Sequence, residues 1–114
     1  MGFKDEFSLD ARSEEAIKIM KKYPSRIPII VEKNKKSNFQ DIDKRKYLVP
    51  KDLNINQFTF IIRKRIKLDS SQAIFLMINN VLCPSNTSIG DIYDNNHDED
   101  GFLYVIYSSE NTFG

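Results

Sequence analysis

The chain has no tryptophan, one cysteine and one histidine, and only four glycines and four prolines among 114 residues. Each scarcity excludes something. A single Cys83 closes no internal disulfide, so a reducing, cytoplasmic compartment is expected. One Cys and one His are too few for a zinc cluster, and no metal site is predicted. Cys83 and His97 lie in different segments without the glycine turn of an oxyanion site. They read as a packed thiol and a solvated loop residue. With no acid, base, nucleophile and oxyanion set in view, no catalytic residue is assigned and the chain is not read as an enzyme. The longest apolar runs, Ile27 to Val31 and Ile74 to Ile78, are far short of the roughly 18 apolar residues of a membrane span. No charged-then-apolar signal segment opens the sequence.

Basic residues are absent after Lys67. All 17 Lys and Arg, with 9 of the 16 acids, fall in residues 1 to 67, while residues 68 to 114 hold 7 acids and no base. The halves therefore carry net charges of +8 and −7 inside a chain of net charge +1. Such a split points to a basic surface made for a partner. A composition of 40% hydrophobic and 29% charged residues is ordinary for one globular domain with a modest core.

Phe3 to Phe7 is short and amphipathic. From Leu9, the positions Leu9, Ala16, Ile17, Met20 and Tyr23 return at helical spacing until Pro24, with Ile19 at the edge of the stripe beside Glu15. The β-branched run Ile27 to Glu32 predicts a strand with its proline near the start. Lys46 to Pro50 predicts a second, and the cations Lys44, Arg45 and Lys46 at its entrance mark it as an edge. Asn54 with Gln57 forms a capping box ahead of Phe58, Ile61, Ile62 and Ile66, a second amphipathic helix. Ile74 to Ile78, the turn Asn79-Asn80 and Val81-Leu82 read as a hairpin. Thr87 or Ser88 caps a short helix, and Phe102 to Tyr107 is a last buried strand before a polar tail. Two strands, a helix and two more strands, with the last strand central, make an α+β β-grasp.

The runs Lys21 to Pro28, Ile42 to Pro50, Gln57-Phe58 with Ile62 to Ile66, and Asp98 to Tyr104, with the ending Phe113-Gly114, resemble the autophagy-related protein eight / GABARAP family of ubiquitin-like modifiers. The likeness runs from about Lys4 to the last residue. Asn56, where several members have glycine, and Val81 to Pro84, where a double proline is usual, depart from the pattern. The resemblance implies a ubiquitin-like β-grasp with a four-stranded mixed sheet and two additional N-terminal helices. It divides the chain into a helical extension (1–23), a core (24–107) and a conjugation tail (108–114), all one structural domain.

The resemblance also implies a function. Gly114, preceded by Phe113, would be activated by an ATP-using enzyme, passed to a conjugating enzyme and joined to phosphatidylethanolamine. A glycine end has no Cβ to obstruct attack at its carbonyl. The nucleotide site and the reactive cysteines belong to those enzymes, so no cofactor is expected here. A cysteine protease would deconjugate the product, and the protein would be a cytoplasmic monomer when soluble, moving to an autophagosome or related vesicle once lipidated. Cargo receptors would add a strand to the second-strand edge through an aromatic-x-x-aliphatic motif. By matching positions, Glu15, Ile19, Pro28, Lys46, Leu48 and Phe102 would form the aromatic pocket. Tyr47, Val49, Pro50, Leu53, Phe58 and Ile61 would form the aliphatic one, with Val49, Phe58 and Ile61 equally readable as plain core. Arg26, Lys44, Arg45 and Arg65 make the charged rim, Arg26 and Arg65 being placed to pair with motif acids. A different reading is a non-conjugated module whose basic half docks acidic partners such as tubulin tails. Nucleic acid is not expected, because no exposed aromatics interleave the cations.

Overall fold

The computed structural model describes residues 2–109. Nine elements follow one another: α1 (Phe3–Glu6), α2 (Leu9–Lys22), β1 (Arg26–Lys33), β2 (Lys46–Pro50), α3 (Ile55–Arg65), β3 (Phe75–Ile78), β4 (Val81–Leu82), α4 (Ile89–Asn96) and β5 (Leu103–Ser108). Local chemistry sets most of the boundaries. Ser8 starts α2 by accepting the Ala11 N–H, and Ser88 does the same for α4 through Asp91. At α3, Asn54 and Gln57 satisfy each other's backbone N–H groups as a capping box. Asn79 and Asn80 both adopt positive φ, 52° and 62°, which suits the tight hairpin between β3 and β4.

The sheet runs in the order β2-β1-β5-β3-β4, with β1 and β5 parallel and the other pairs antiparallel. It has a fifth strand beyond the expected four, because Val81 and Leu82 pair with Ile78 and Met77. The first and last long strands lie at the centre, so β1 is buried on both faces through Ile27 to Val31. Its alternation splits the core in two. Ile27, Ile29 and Val31 join Leu103, Val105 and Tyr107 beneath α3 and α4. On the opposite face Ile30 and Phe102 meet Ala16 of α2 and the wholly buried Phe3 of α1.

Of the apolar stripe expected for α2, only Ala16 is on the face that packs. Leu9, Ile17, Met20 and Tyr23 are exposed, whereas Arg12 and Ala16 are buried and Ile19 is half-buried. Two contacts set this rotation. Gly101 comes so close that a Cβ built on it would lie 3.0 Å from the Ala16 Cβ, and Arg12 reaches the buried carboxylate of Asp100. A small residue and an ion pair thus override hydrophobic periodicity.

Candidate functional site at the sheet edge

β2 has one neighbour, β1, so its other side is a free edge. Prolines determine which residues offer backbone groups there. Pro28 stands opposite Leu48 and has no N–H, so this pair belongs to the non-hydrogen-bonded set of the antiparallel ladder. The alternation continues at both ends, where Val31 N–H donates to Arg45 C=O at 2.8 Å and Lys51 N–H to Ser25 C=O at 3.3 Å. The backbones of Lys46 and Leu48 therefore point outward, ready to pair with another extended chain. Arg26 reaches the Leu48 carbonyl at 3.4 Å.

Side chains flank this edge in two sets. Towards α2, Pro28 lies across from Leu48, the Lys46 ammonium donates to Glu15 at 2.6 Å, and half-buried Ile19 packs on the cluster that holds Phe102. The structure thus holds the six residues assigned to the aromatic pocket in three groups, linked along β2 and through Ile30, which stands opposite Lys46 and belongs to the Phe102 cluster. Phe3, unassigned from the sequence, closes the floor. Its ring meets Phe102 edge-on at 5.5 Å, its N–H donates to Glu32 at 2.7 Å, and Lys46 and Arg45 lie over it at 5.4 and 5.2 Å. The short amphipathic run from Phe3 to Phe7 offers two aromatic rings and does not tell which is core; the structure buries Phe3 and leaves Phe7 exposed.

Towards α3, Tyr47 and Val49 are buried, and Tyr47 meets the fully buried Phe58 edge-on at 5.7 Å. These three are walls of the main core. Leu53 is half-buried on that core and Ile61 is exposed, so these two offer the apolar surface on this side. Pro50 is exposed and shares the strand parity of Lys46 and Leu48 rather than that of Tyr47 and Val49. The Tyr47 hydroxyl is buried without a hydrogen-bond partner, and burial pushes its pKa up to about 12.

The rim cations are occupied from within. Arg45 holds Glu6 with two bonds, at 2.6 and 2.7 Å, and Arg65 holds Asp43 at 2.7 and 3.2 Å. Each guanidinium keeps its carboxyl below the ordinary carboxylate value. Arg65 thus pairs with Asp43 of its own chain, whereas the sequence placed it against acids of a partner. Lys44 sits over the Tyr47 ring at 5.1 Å. An open depression of about 1050 Å³ lies elsewhere, around Glu32, Lys33 and Met77; of the assigned residues only Arg45 lines it.

Beneath the site, Asp100 accepts from Arg12 at 2.8 Å and from the Tyr104 hydroxyl at 2.5 Å, and its other oxygen takes the Phe102 N–H at 2.8 Å. This buried group fixes the ring of Phe102 relative to α2. Arg12 was legible in principle, being a charge four residues before Ala16 on the same helix face. No group of three or more His, Cys, Asp or Glu able to hold a metal occurs among the described residues, and no helix there is long and apolar enough to cross a membrane. Phe113 and Gly114 lie outside the described residues.

Comparison with known proteins gives one family. A model described as autophagy protein Atg8, ubiquitin like, matches residues 11–114. Autophagy-related protein 8d of Arabidopsis thaliana is 53% identical over 112 residues, 98% of this chain and 93% of that protein. Autophagy-related protein 8 of Candida albicans is also 53% identical, over 98% of this chain and 83% of its own length. The crystal structure of Trypanosoma brucei ATG8 superposes with a TM-score of 0.92 at 40% identity, over 100% of this chain and 98% of that one. Plasmodium falciparum Atg8, solved with a Plasmodium falciparum Atg3 peptide, gives 0.91 at 36% identity, over 99% of each chain.

Proposed function

Because the chain belongs to the Atg8 family of ubiquitin-like autophagy proteins, we propose that it is a modifier joined through Gly114 to phosphatidylethanolamine, recruiting partners at the β2 edge. Its part is to be conjugated and to bind, not to catalyse. The activating, conjugating and deconjugating enzymes supply the reactive groups. The chain supplies a helical extension over 1–23, a core that runs from 24 through the end of β5 at Ser108, one residue past the expected boundary, and the residues beyond it as the conjugation tail. In solution it is a cytoplasmic monomer, and conjugation brings it to an autophagosome or related vesicle.

One observation carries the docking half of this reading. The outward N–H and C=O groups of Lys46 and Leu48 form a short ladder that no strand pairs, touched only by the Arg26 side chain at the Leu48 carbonyl, with half-buried Leu48 on one side and exposed Ile61 on the other. An extended peptide satisfies the ladder with its backbone and places alternate side chains towards the α2 and α3 sides. The Plasmodium falciparum relative, solved with an Atg3 peptide, supports short peptides as the ligand class. By the same reasoning this chain would take a peptide of its conjugating enzyme as well as motifs from cargo receptors.

Two assays test the halves separately. Incubation with activating and conjugating enzymes, ATP and phosphatidylethanolamine liposomes should give a mobility shift that a Gly114 deletion abolishes. The absence of any Gly114-dependent shift refutes conjugation. Titration with an aromatic-x-x-aliphatic peptide should give binding that the Lys46→Ala, Leu48→Ala double variant weakens about tenfold or more, since buried anchors carry most peptide affinity. Equal affinity for both proteins refutes docking at β2.

A further inference from the structure

Three cations at the Lys46 end of β2 each hold a carboxylate from a remote part of the same chain. Glu6 of α1 is 39 residues from Arg45, Glu15 of α2 is 31 from Lys46, and Asp43 is 22 from Arg65 at the end of α3. The three acids come from three segments, yet all gather at one strand end, Glu6 and Glu15 on the α1 and α2 face and Asp43 with Arg65 on the α3 face. Every pair is partly open to water, the side-chain exposures being 29 and 37%, 47 and 36%, and 45 and 71%, cation first. Pairs this exposed contribute little to folding and exchange readily.

We infer that the docking edge is self-capped: Glu6, Glu15 and Asp43 occupy the cations an acidic peptide would use, so docking there exchanges internal carboxylates for those of the ligand. This rests on the peptide-docking reading above and specifies how that site is regulated. Each ligand acid that settles on Arg45, Lys46 or Arg65 releases an internal one, and the number of ion pairs stays constant. Acidic flanks then add little affinity to the intact protein, and the salt dependence of binding is shallow. Apolar anchors and backbone pairing set affinity, while the internal acids hold back ligands that offer charge alone. The exchange also loosens α1. Glu6 ties α1 to Arg45, and Lys46, once drawn from Glu15, leaves its place over Phe3 and Phe7.

Two synthetic peptides share an aromatic-x-x-aliphatic centre, one flanked by Asp and Glu, the other by Asn and Gln. Both are titrated against the full-length chain and the triple variant Glu6→Gln, Glu15→Gln, Asp43→Asn. A control triple, Asp91→Asn, Asp94→Asn, Glu99→Gln, changes net charge equally on α4 and the loop after it. The uncapped variant should raise the preference for the acidic over the neutral peptide by at least about two- to fivefold and steepen its salt dependence, whereas the control should do neither. An unchanged preference, or an equal gain in the control, overturns self-capping while leaving docking intact. If neither peptide binds the wild type or the uncapped variant, the docking reading itself fails.

Discussion

Arg12 and Asp100 meet in the interior at 2.8 Å, with side-chain exposures of 10% and 0%, and so tie α2 to the turn that precedes β5. Asp100 is also held by Tyr104 and by the Phe102 N–H. Removing one partner of a buried pair strands the other charge, which costs far more than the pair contributes. Arg12→Ala should therefore destabilise the protein by about 3 kcal/mol or more in denaturant unfolding. It should also weaken peptide binding, by freeing Phe102.

Tyr47 presents the opposite case, a buried hydroxyl without a partner. Its ring packs on Phe58, and that contact survives removal of the oxygen. Tyr47→Phe should be neutral or stabilising by up to about 1 kcal/mol, read as a rise in thermal midpoint. A clear loss of stability would show that the hydroxyl is satisfied in solution.

Glu6 and Asp43 should titrate below the ordinary carboxylate range when followed by carboxyl-carbon NMR. Arg45→Gln should return Glu6, and Arg65→Gln Asp43, to ordinary values. In each case the folded state has the lower pKa, so the stabilising contribution is present above the unfolded value of about 4. It is lost as the pH falls through the lower folded value. Both Arg variants should consequently show a shallower loss of stability under acid than the wild type.

Gly101 has φ of 93° and almost touches Ala16. Gly101→Ala meets a left-handed backbone and a methyl group together, and should cost at least about 1 kcal/mol. Because the clash falls between α2 and the β5 approach, amide shifts should spread to Ile19 and Phe102 rather than stay in the turn.

The strands around Ile29 and Val105 and the cap at Asn54 are local facts, and they were legible as such. So was the edge character of Lys46 to Pro50, announced by its cations. Alternation along β2 correctly separated Tyr47 and Val49 from Lys46 and Leu48. It did not distinguish pocket from core, since Val49 and Phe58 are apolar in either role. The α2 stripe misled because Ile17 and Met20 sit at helical spacing but face water.

The sequence alone determined the kind and order of the elements, because capping, β-branching and turn chemistry act over a few residues. It also determined the family, whose motifs are contiguous in the chain. Only the tertiary structure decided which face of α2 packs, that Phe3 closes the floor beside Phe102, and that Glu6, Glu15 and Asp43 sit on the cations of the docking edge. Those outcomes join residues 22 to 99 positions apart. They depend on close approach, ion pairing and burial, which no local pattern encodes.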